Sequence, residues 1–175
     1  MLVRLLEEIL GMTKFNLNKF HFDVDGVMKR LDIIALGYEP DTWRHKRYGL
    51  TVIDIVNQDP TIVYFAHPSE YLDIINTLYY KNTINIITSQ RPSWISCNER
   101  WLTKHLQCAF NVQYTNNPEE KLSLLGDNDI LVEDSPLFPD YDKIILIDRK
   151  YNRHINVPTR VHNPGELLME IIKRL

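Results

Sequence analysis

The sequence predicts an α/β fold: a three-layer sandwich around a parallel five-stranded sheet, with a small inserted cap after the first strand. Two observations predict this class. Short β-rich runs alternate with segments of helical period, and the runs are almost continuous in Ile, Leu and Val, which is typical of strands covered on both faces. Strand and helix in this order imply crossover connections, and therefore helices packed on the sheet.

Five runs are predicted as strands because each is short, apolar and rich in β-branched residues. They are "FHFDV" (20–24), "INIIT" (84–88), "NVQYT" (111–115), "DILVE" (129–133) and "KIILID" (143–148).

Four segments carry helical patterns with start signals. They are "HPSEYLDIINTLYY" with Ser69 as N-cap, "RPSWISCNERWLTKHL", "NNPEEKLSLLG" and the C-terminal "NPGELLMEIIKRL". The third has a full set of boundary signals, with Asn117 as N-cap, Pro118 in the first turn and Gly126 after the end. The N-terminal "MLVRLLEEILGMTKF" predicts an amphipathic helix that ends at Gly11. Its charged residues argue against a signal peptide or a membrane span.

One connection is far longer than the alternation requires. About 59 residues separate the first two predicted strands, and only 69–80 are needed for the crossover helix. The surplus, 28–68, includes the polar and aromatic stretch "EPDTWRHKRYGLTVIDIV". We therefore expect a core domain of residues 1–27 and 69–175, with residues 28–68 inserted as a cap above one end of the sheet.

Composition limits the classes of function. The chain has 175 residues, of which 44% are hydrophobic and 25% charged, and this indicates one ordinary globular domain. A formal net charge of −3 gives no overall attraction to nucleic acid or to an anionic membrane. Only two cysteines occur, Cys97 and Cys108, which is no disulfide framework and suits a cytoplasmic protein.

The residues with catalytic chemistry cluster where predicted strands end. They are Asp23 and Asp25 at the end of the first strand, Thr88 and Ser89 at the end of the second, Glu133 and Asp134 at the end of the fourth, and Lys121 in the helix before the fourth. Ligands of open α/β sheets bind beyond the carboxyl ends of the strands. Four carboxylates in one crevice would repel each other unless a cation lay among them, so the pattern predicts a hard, oxygen-ligated ion such as Mg²⁺.

Each of these residues also has an ordinary structural interpretation. The "DVDG" string alone is compatible with a turn or a calcium loop, although no Glu follows at the spacing that such a loop needs. Thr88 and Ser89 suit a strand and the turn after it. Lys121 suits a solvated helix face, and "ED" at 133–134 suits a charged loop. The position of all of them at strand ends favours the catalytic interpretation.

The motifs in this order resemble those of the haloacid dehalogenase (HAD) superfamily of phosphotransferases. The first motif is "DVDGV", the second "IITS", the third Lys121 and the fourth "LVEDS", over a match from about residue 19 to the C-terminus. Within the superfamily the chain is similar to the cytosolic type-C 5'(3')-deoxyribonucleotidases and their bacterial and phage relatives, through "TSQRP" and "DRKYNR". Many members of that branch carry two aspartates where this chain has Glu133 and Asp134.

The resemblance implies a Rossmann-like sheet and a Mg²⁺-dependent phosphomonoesterase. Asp23 would attack phosphorus and form an aspartyl-phosphate, and Asp25 would act as general acid and then general base. Mg²⁺ would be held by Asp23, the Asp25 carbonyl and Asp134, with Glu133 acting through a water. Of Thr88 and Ser89 we prefer Thr88 as the residue that would hold the phosphoryl oxygens, together with Lys121.

Substrate contacts are predicted from the segment "WRHKRYG" (43–49) and from Arg91 after the second motif. Trp43 or Tyr48 would stack on a nucleobase and Arg44 or Lys46 would bind a phosphate, although such a run is more often a solvated helix face. The predicted substrate is a nucleoside monophosphate. One alternative is a phosphatase that acts on the 3' ends of nucleic acids, and another is a non-catalytic ligand-binding or regulatory protein with the same fold.

Overall fold

A computed structural model describes residues 16–80, 82–138 and 140–175. Its strands are β1 (Phe20–Phe22), β2 (Lys29–Arg30), β3 (His67–Pro68), β4 (Thr83–Ser89), β5 (Ala109–Thr115), β6 (Ile130–Glu133), β7 (Ile144–Ile147) and β8 (Arg160–Val161). Its α-helices are α1 (Leu31–Leu36), α2 (Val52–Gln58), α3 (Ile62–Phe65), α4 (Leu72–Leu78), α5 (Ile95–His105), α6 (Glu120–Ser123) and α7 (Pro164–Arg174). The predicted helix before Gly11 lies outside the described residues.

Six strands form the main sheet in the order β5, β4, β1, β6, β7, β8, and every neighbouring pair is parallel. The α/β class and the parallel sheet are therefore confirmed, and each of the five predicted runs contains a strand. The sheet has six strands rather than five because β8 pairs with β7 along Leu146↔Arg160 and Ile147↔Val161. Two residues are too short to show an alternation of period two, so the sequence pattern did not reveal β8.

The two faces of the sheet bury different apolar clusters. The larger cluster contains Phe20, Phe22, Ile86, Val132, Ile145 and Ile147 from the strands, with side chains of α4, α5 and α7 packed on them. The opposite face contributes Ile87, Leu131 and Leu146, which pack with Phe138 and with the partly buried Leu122. Successive residues of a strand point to opposite faces, so strands such as β6 and β7 supply both clusters, as expected for a sheet covered on two sides.

Two predicted asparagine caps make their hydrogen bonds, but only one of the two helices keeps its predicted extent. The Asn163 side chain accepts a hydrogen bond from the Glu166 N–H at the start of α7. The Asn117 side chain likewise accepts from the Glu120 N–H at 3.0 Å, but only Glu120–Ser123 is α-helical in the segment predicted to reach Leu125. Among the described residues, no helix is long and apolar enough to cross a lipid bilayer.

The surplus residues 28–68 form β2, α1, α2, α3 and β3. The antiparallel pair of β2 and β3 joins the two ends of this segment. Its apolar side chains form a separate small cluster that includes Leu31, Val56 and Val63 and also Trp94 of the core. The segment therefore shares a small apolar cluster with the region just after β4.

Candidate active site

The strand order brings the predicted site residues together. β1 lies between β4 and β6, and the chain runs from β1 to β4 and β5 on one side before it crosses to β6, β7 and β8 on the other. This reversal at β1 is a topological switch point, where open α/β sheets bind their ligands. The loops after β1, β4 and β6 consequently meet at one edge of the sheet.

Asp23, Glu133 and Asp134 form a buried carboxylate cluster at this edge. Each offers one oxygen, and the three oxygens lie within 4.8 Å of one another. The Lys121 ammonium is also buried, with Nζ at 2.9 Å from Asp23 Oδ1 and 2.6 Å from Glu133 Oε2. Lys121 thus pairs with two of the three acidic groups, and the cluster has more carboxylates than ammonium groups.

The loop after β1 reaches the cluster because of its backbone conformation. The Asp23 N–H continues the sheet ladder to the Val132 carbonyl at 2.9 Å, and the chain then turns sharply at Gly26, whose φ is +81°. A methyl group on Gly26 would overlap the Asp134 carboxylate. Glycine is needed here both for the positive φ and for the close approach to Asp134.

We expect Gly26→Ala to destabilise the fold and to weaken cation binding, because the new methyl must displace Asp134. A left-handed backbone costs a non-glycine residue about 1–2 kcal/mol, and the overlap adds to this. Gly49→Ala is a matched control, since Gly49 has a φ of +82° with no atom within 4 Å of the added Cβ. Urea denaturation and Mn²⁺ titration of both variants measure the difference. Equal losses in the two variants would show that the contact with Asp134 has no role.

Burial and repulsion raise the pKa values of the clustered aspartates. Burial first, and the neighbouring Glu133 charge second, raise the pKa of Asp23 to about 6, although the Lys121 ammonium and the Thr88 hydroxyl, which hydrogen-bonds to Asp23, act in the opposite direction. The pKa of Asp134 is raised well above its usual value by burial and by the charges of Glu133 and Asp23. Holding both groups ionised near neutral pH therefore requires a further positive charge.

Lys121 and Glu133 form the fixed part of the cluster. Burial lowers the pKa of Lys121, but the charges of Asp23 and Glu133 outweigh it and hold the pKa above the ordinary value, so the side chain stays an ammonium. Glu133 Oε1 accepts the backbone N–H groups of Asp134 and Ser135 at 3.1 and 3.0 Å. With Oε2 paired to Lys121, both oxygens of Glu133 have partners within the protein.

Asp134 is held by residues of the segment after β7. The Tyr151 hydroxyl donates to Asp134 Oδ2, and the Asn152 amide donates to the Asp134 carbonyl at 2.8 Å. Arg149, from the same segment, donates twice to the Gly26 carbonyl at 3.0 and 2.6 Å. Asp134 Oδ1 remains buried without a hydrogen-bond partner in the described part of the chain.

The residues present fit a hard divalent cation. The cluster consists only of carboxylate oxygens, which Mg²⁺ and Ca²⁺ prefer over nitrogen and sulfur ligands. The unpartnered Oδ1 of Asp134 would otherwise carry the full cost of burial. The buried acidic triad could therefore hold a metal ion.

Asp25 and the residues after β4 lie beside this cluster. The Asp25 carboxylate is outside the triad, with Oδ1 at 3.2 Å from Lys29 Nζ and Oδ2 accepting from Gln90 Nε2 at 2.5 Å. The Ser89 hydroxyl bonds to Thr115 at 2.8 Å, whereas Thr88 faces Asp23. Neighbouring strand residues point to opposite faces, so Thr88 rather than Ser89 lies with the carboxylates.

The three outer residues named from the sequence are all exposed. Trp43 is 36% exposed and packs against Tyr151, with ring centroids 5.2 Å apart, so it lies one side chain away from Asp134. Arg44 and Arg91 point to the surface with no hydrogen bond to the acidic triad among the described residues.

Several contributors escape the motif pattern. Five further residues support the site: Lys29, Gln90, Asn98, Arg149 and Tyr151. The resemblance includes three of them, Gln90 in "TSQRP" and Arg149 and Tyr151 in "DRKYNR". Lys29 and Asn98 carry no sequence signal, because a lysine in a polar insertion and an asparagine on a helix are ordinarily exposed.

Comparison with known proteins adds no assignment to this geometry. No protein-family model matches the chain, and no curated protein matches it.

Proposed function

We propose that the protein is a Mg²⁺-dependent phosphomonoesterase of the HAD type that hydrolyses nucleoside monophosphates through an aspartyl-phosphate on Asp23. One observation carries the proposal. The buried Lys121 Nζ lies 2.9 Å from Asp23 and 2.6 Å from Glu133, and the neighbouring Asp134 has one oxygen without a hydrogen-bond partner in the described part of the chain. An aspartate beside an ammonium and a cation site is suited to nucleophilic attack on a phosphoryl group, because the nearby positive charges offset the negative charge of the phosphoryl oxygens.

In the first step an Asp23 oxygen forms a bond to phosphorus while the bond from phosphorus to the ester oxygen breaks. The leaving alkoxide takes a proton from Asp25. The Asp25 side chain is 25% exposed and so can be reached by substrate. General acid catalysis of this kind typically contributes about 10²–10⁴-fold to the rate.

In the second step water attacks the same phosphorus atom. Asp25 accepts the proton of that water, the bond from phosphorus to Asp23 breaks, and inorganic phosphate leaves with the Asp23 carboxylate restored. Two steps at one phosphorus need one carboxylate as nucleophile and a second to move protons, which are the parts assigned to Asp23 and Asp25.

The remaining polar groups stabilise charge. Lys121 and Thr88 would donate to the phosphoryl oxygens as negative charge develops on them. The cation would be held by the carboxylates of Asp23 and Asp134 and by the Asp25 carbonyl, with Glu133 acting through a water. When bound, Mg²⁺ would neutralise the phosphoryl oxygens and orient the group toward the nucleophile.

Residues 28–68 are proposed to act as the cap. Trp43 rests on Tyr151, which itself binds Asp134, so an aromatic surface lies next to the cation site. We infer that Trp43 stacks on the base of the nucleotide and that the positive charge of Arg44 attracts its phosphate group. The two free cysteines suit the predicted cytoplasmic location.

The proposal is tested by phosphate release from a panel of 5' and 3' nucleoside monophosphates and simple sugar phosphates. We expect turnover with Mg²⁺, its loss in EDTA and its return when Mg²⁺ is added back, because the buried carboxylates need the cation. Nucleotides should be preferred over sugar phosphates. No release from any member of the panel would favour a non-catalytic ligand-binding or regulatory role.

A polynucleotide substrate is the second candidate, favoured by one observation. The pKa of the exposed Asp54 is lowered first by hydrogen bonds from Thr51 and further by Lys46 and Arg91, so basic side chains of the insertion and of the loop after β4 share one surface. Salt separates the two substrates, since log K for a single strand falls with a slope of about −0.7 per phosphate neutralised. The KM for a mononucleotide should depend only weakly on salt. A KM for a polynucleotide substrate that rises steeply with salt would support the 3'-phosphatase.

A further inference from the structure

Lys29 is a fully buried lysine that the proposed chemistry does not use. Its exposed fraction is 0%, and it lies at the start of the insertion, five backbone positions after Val24, whose carbonyl accepts its N–H at 3.0 Å. Lysine is almost never fully buried unless it is paired, because removing an ammonium from water is costly. The side chain must therefore have specific partners.

Those partners come from separate elements. Lys29 Nζ donates to the Asn98 side-chain oxygen on α5 at 2.6 Å and pairs with Asp25 Oδ1 at 3.2 Å. The ammonium also lies 5.5 Å from the ring centroid of Trp101 on the same helix. Trp101 in turn donates from its indole N–H to the Ala66 carbonyl at 2.7 Å, which fixes α5 against the end of the insertion.

The second oxygen of Asp25 is held from another direction. Gln90, buried in the loop after β4, donates from Nε2 to Asp25 Oδ2 at 2.5 Å. Asp25 Oδ2 therefore has a hydrogen-bond donor in Gln90 and Oδ1 an ion pair with Lys29, so a rotation of the carboxylate would lose one of these two contacts. Asp25 is two residues from Asp23, yet its carboxylate does not join the triad of Asp23, Glu133 and Asp134.

We propose that Lys29 is a positioning residue of the active site: together with Gln90 it holds the Asp25 carboxylate out of the cation-binding cluster and on the side that meets the substrate. A free carboxylate this close to a divalent cation would tend to ligate it. Catalysis by positioned groups depends on such alignment, and a displacement of about 1 Å costs on the order of 10²-fold in rate. The proposal rests on the proposed function, in which Asp25 moves the protons.

The kinetic test compares Lys29→Met in the native chain and in the Asp25→Asn background, with p-nitrophenyl phosphate and Mg²⁺. We expect kcat to fall about 100-fold in the native chain with KM and the Mn²⁺ dissociation constant changed less than about threefold. In the Asp25→Asn background the same substitution should have no further effect. Lys104→Met on the exposed side of α5 is the control and should match the native chain. An equal loss in both backgrounds would overturn the proposal, because Lys29 would then act independently of Asp25.

A second measurement does not depend on turnover. Urea denaturation in EDTA of Asp25→Asn, Lys29→Met and the double variant forms a thermodynamic cycle. If the two side chains act as a pair, the double variant should have a higher midpoint than the summed losses of the single variants predict. Additive losses would overturn the positioning role even in an active enzyme. If the losses are non-additive but the native chain has no phosphatase activity, the proposed function is overturned, whereas the interaction between Lys29 and Asp25 is supported.

Discussion

Asp23→Asn is expected to lower the rate of phosphate release by a factor of about 10⁴ or more while the fold is retained. The amide cannot attack phosphorus at a useful rate, so no aspartyl-phosphate forms and neither half of the reaction proceeds. Asn has nearly the shape of Asp and removes one charge from a cluster whose repulsion contributes to the raised pKa of Asp23. Loss of activity should therefore not reflect unfolding.

The measurement pairs turnover with a trapping experiment. Acid quenching during turnover of a ³²P-labelled monophosphate should leave label on the native chain and none on Asp23→Asn. Circular dichroism and the unfolding midpoint verify the fold of the variant. Asp73→Asn, an exposed aspartate on α4, should keep both the activity and the label. Label on the Asn variant would place the nucleophile elsewhere.

The middle of the sheet was predictable because strands such as β6 and β7 are buried on both faces. A run such as "KIILID" contains so little polarity that only a covered strand explains it, and Ile144, Ile145, Leu146 and Ile147 are all buried in β7. Boundaries were harder to predict. β1 ends at Phe22, two residues before the apolar run "FHFDV" ends, because the chain turns toward Gly26 to bring Asp23 and Asp25 above the sheet. The turn at Gly26 thus ends a strand that propensity alone would extend.

The carboxylates of the site were predictable for a topological reason. Residues at the carboxyl ends of adjacent parallel strands must meet, so Asp23, Glu133 and Asp134 converge without any knowledge of side-chain packing. Their partners were not predictable in this way. Lys29 meets Asn98 across 69 positions of sequence, and this pairing depends on how the insertion folds against α5. Contacts of this kind arise from tertiary packing and leave no period or spacing in the chain.

Lys121→Met is expected to lower kcat/KM by about 10³-fold and to destabilise the metal-free protein by about 3–5 kcal/mol at pH 8. Methionine fills a similar volume but carries no charge, so Asp23 and Glu133 would face each other without the ammonium that lies 2.9 and 2.6 Å from them. Removing one partner of a buried ion pair is costly because the remaining charge has lost its compensation. Urea denaturation in EDTA measures the change in the free energy of unfolding.

The destabilisation should depend on pH with a definite sign. The Lys121 pKa is raised above the unfolded value of 10.5, so its ammonium is charged throughout pH 5 to pH 8, and any pH dependence in this window comes from its carboxylate partners. Asp23 has a folded pKa of about 6, above its usual 3.8, so the native state binds more protons than the unfolded state in this window. The contribution of Asp23 to the stability of the native chain without metal therefore falls as the pH rises from 3.8 through 6.

Without Lys121 the pKa of Asp23 should rise further, and the loss of stability should continue to higher pH. The variant is therefore expected to differ less from the native chain at pH 5, where Asp23 is protonated in both, than at pH 8. Lys173→Met is the control, because Lys173 pairs with Glu170 at the surface with 62% of its side chain exposed, and its loss should cost less than about 1 kcal/mol at either pH. Destabilisation by Lys121→Met that is equal at pH 5 and pH 8 would mean that the ammonium does not hold the Asp23 charge. Asp23 would then depend on the cation alone to remain an ionised nucleophile.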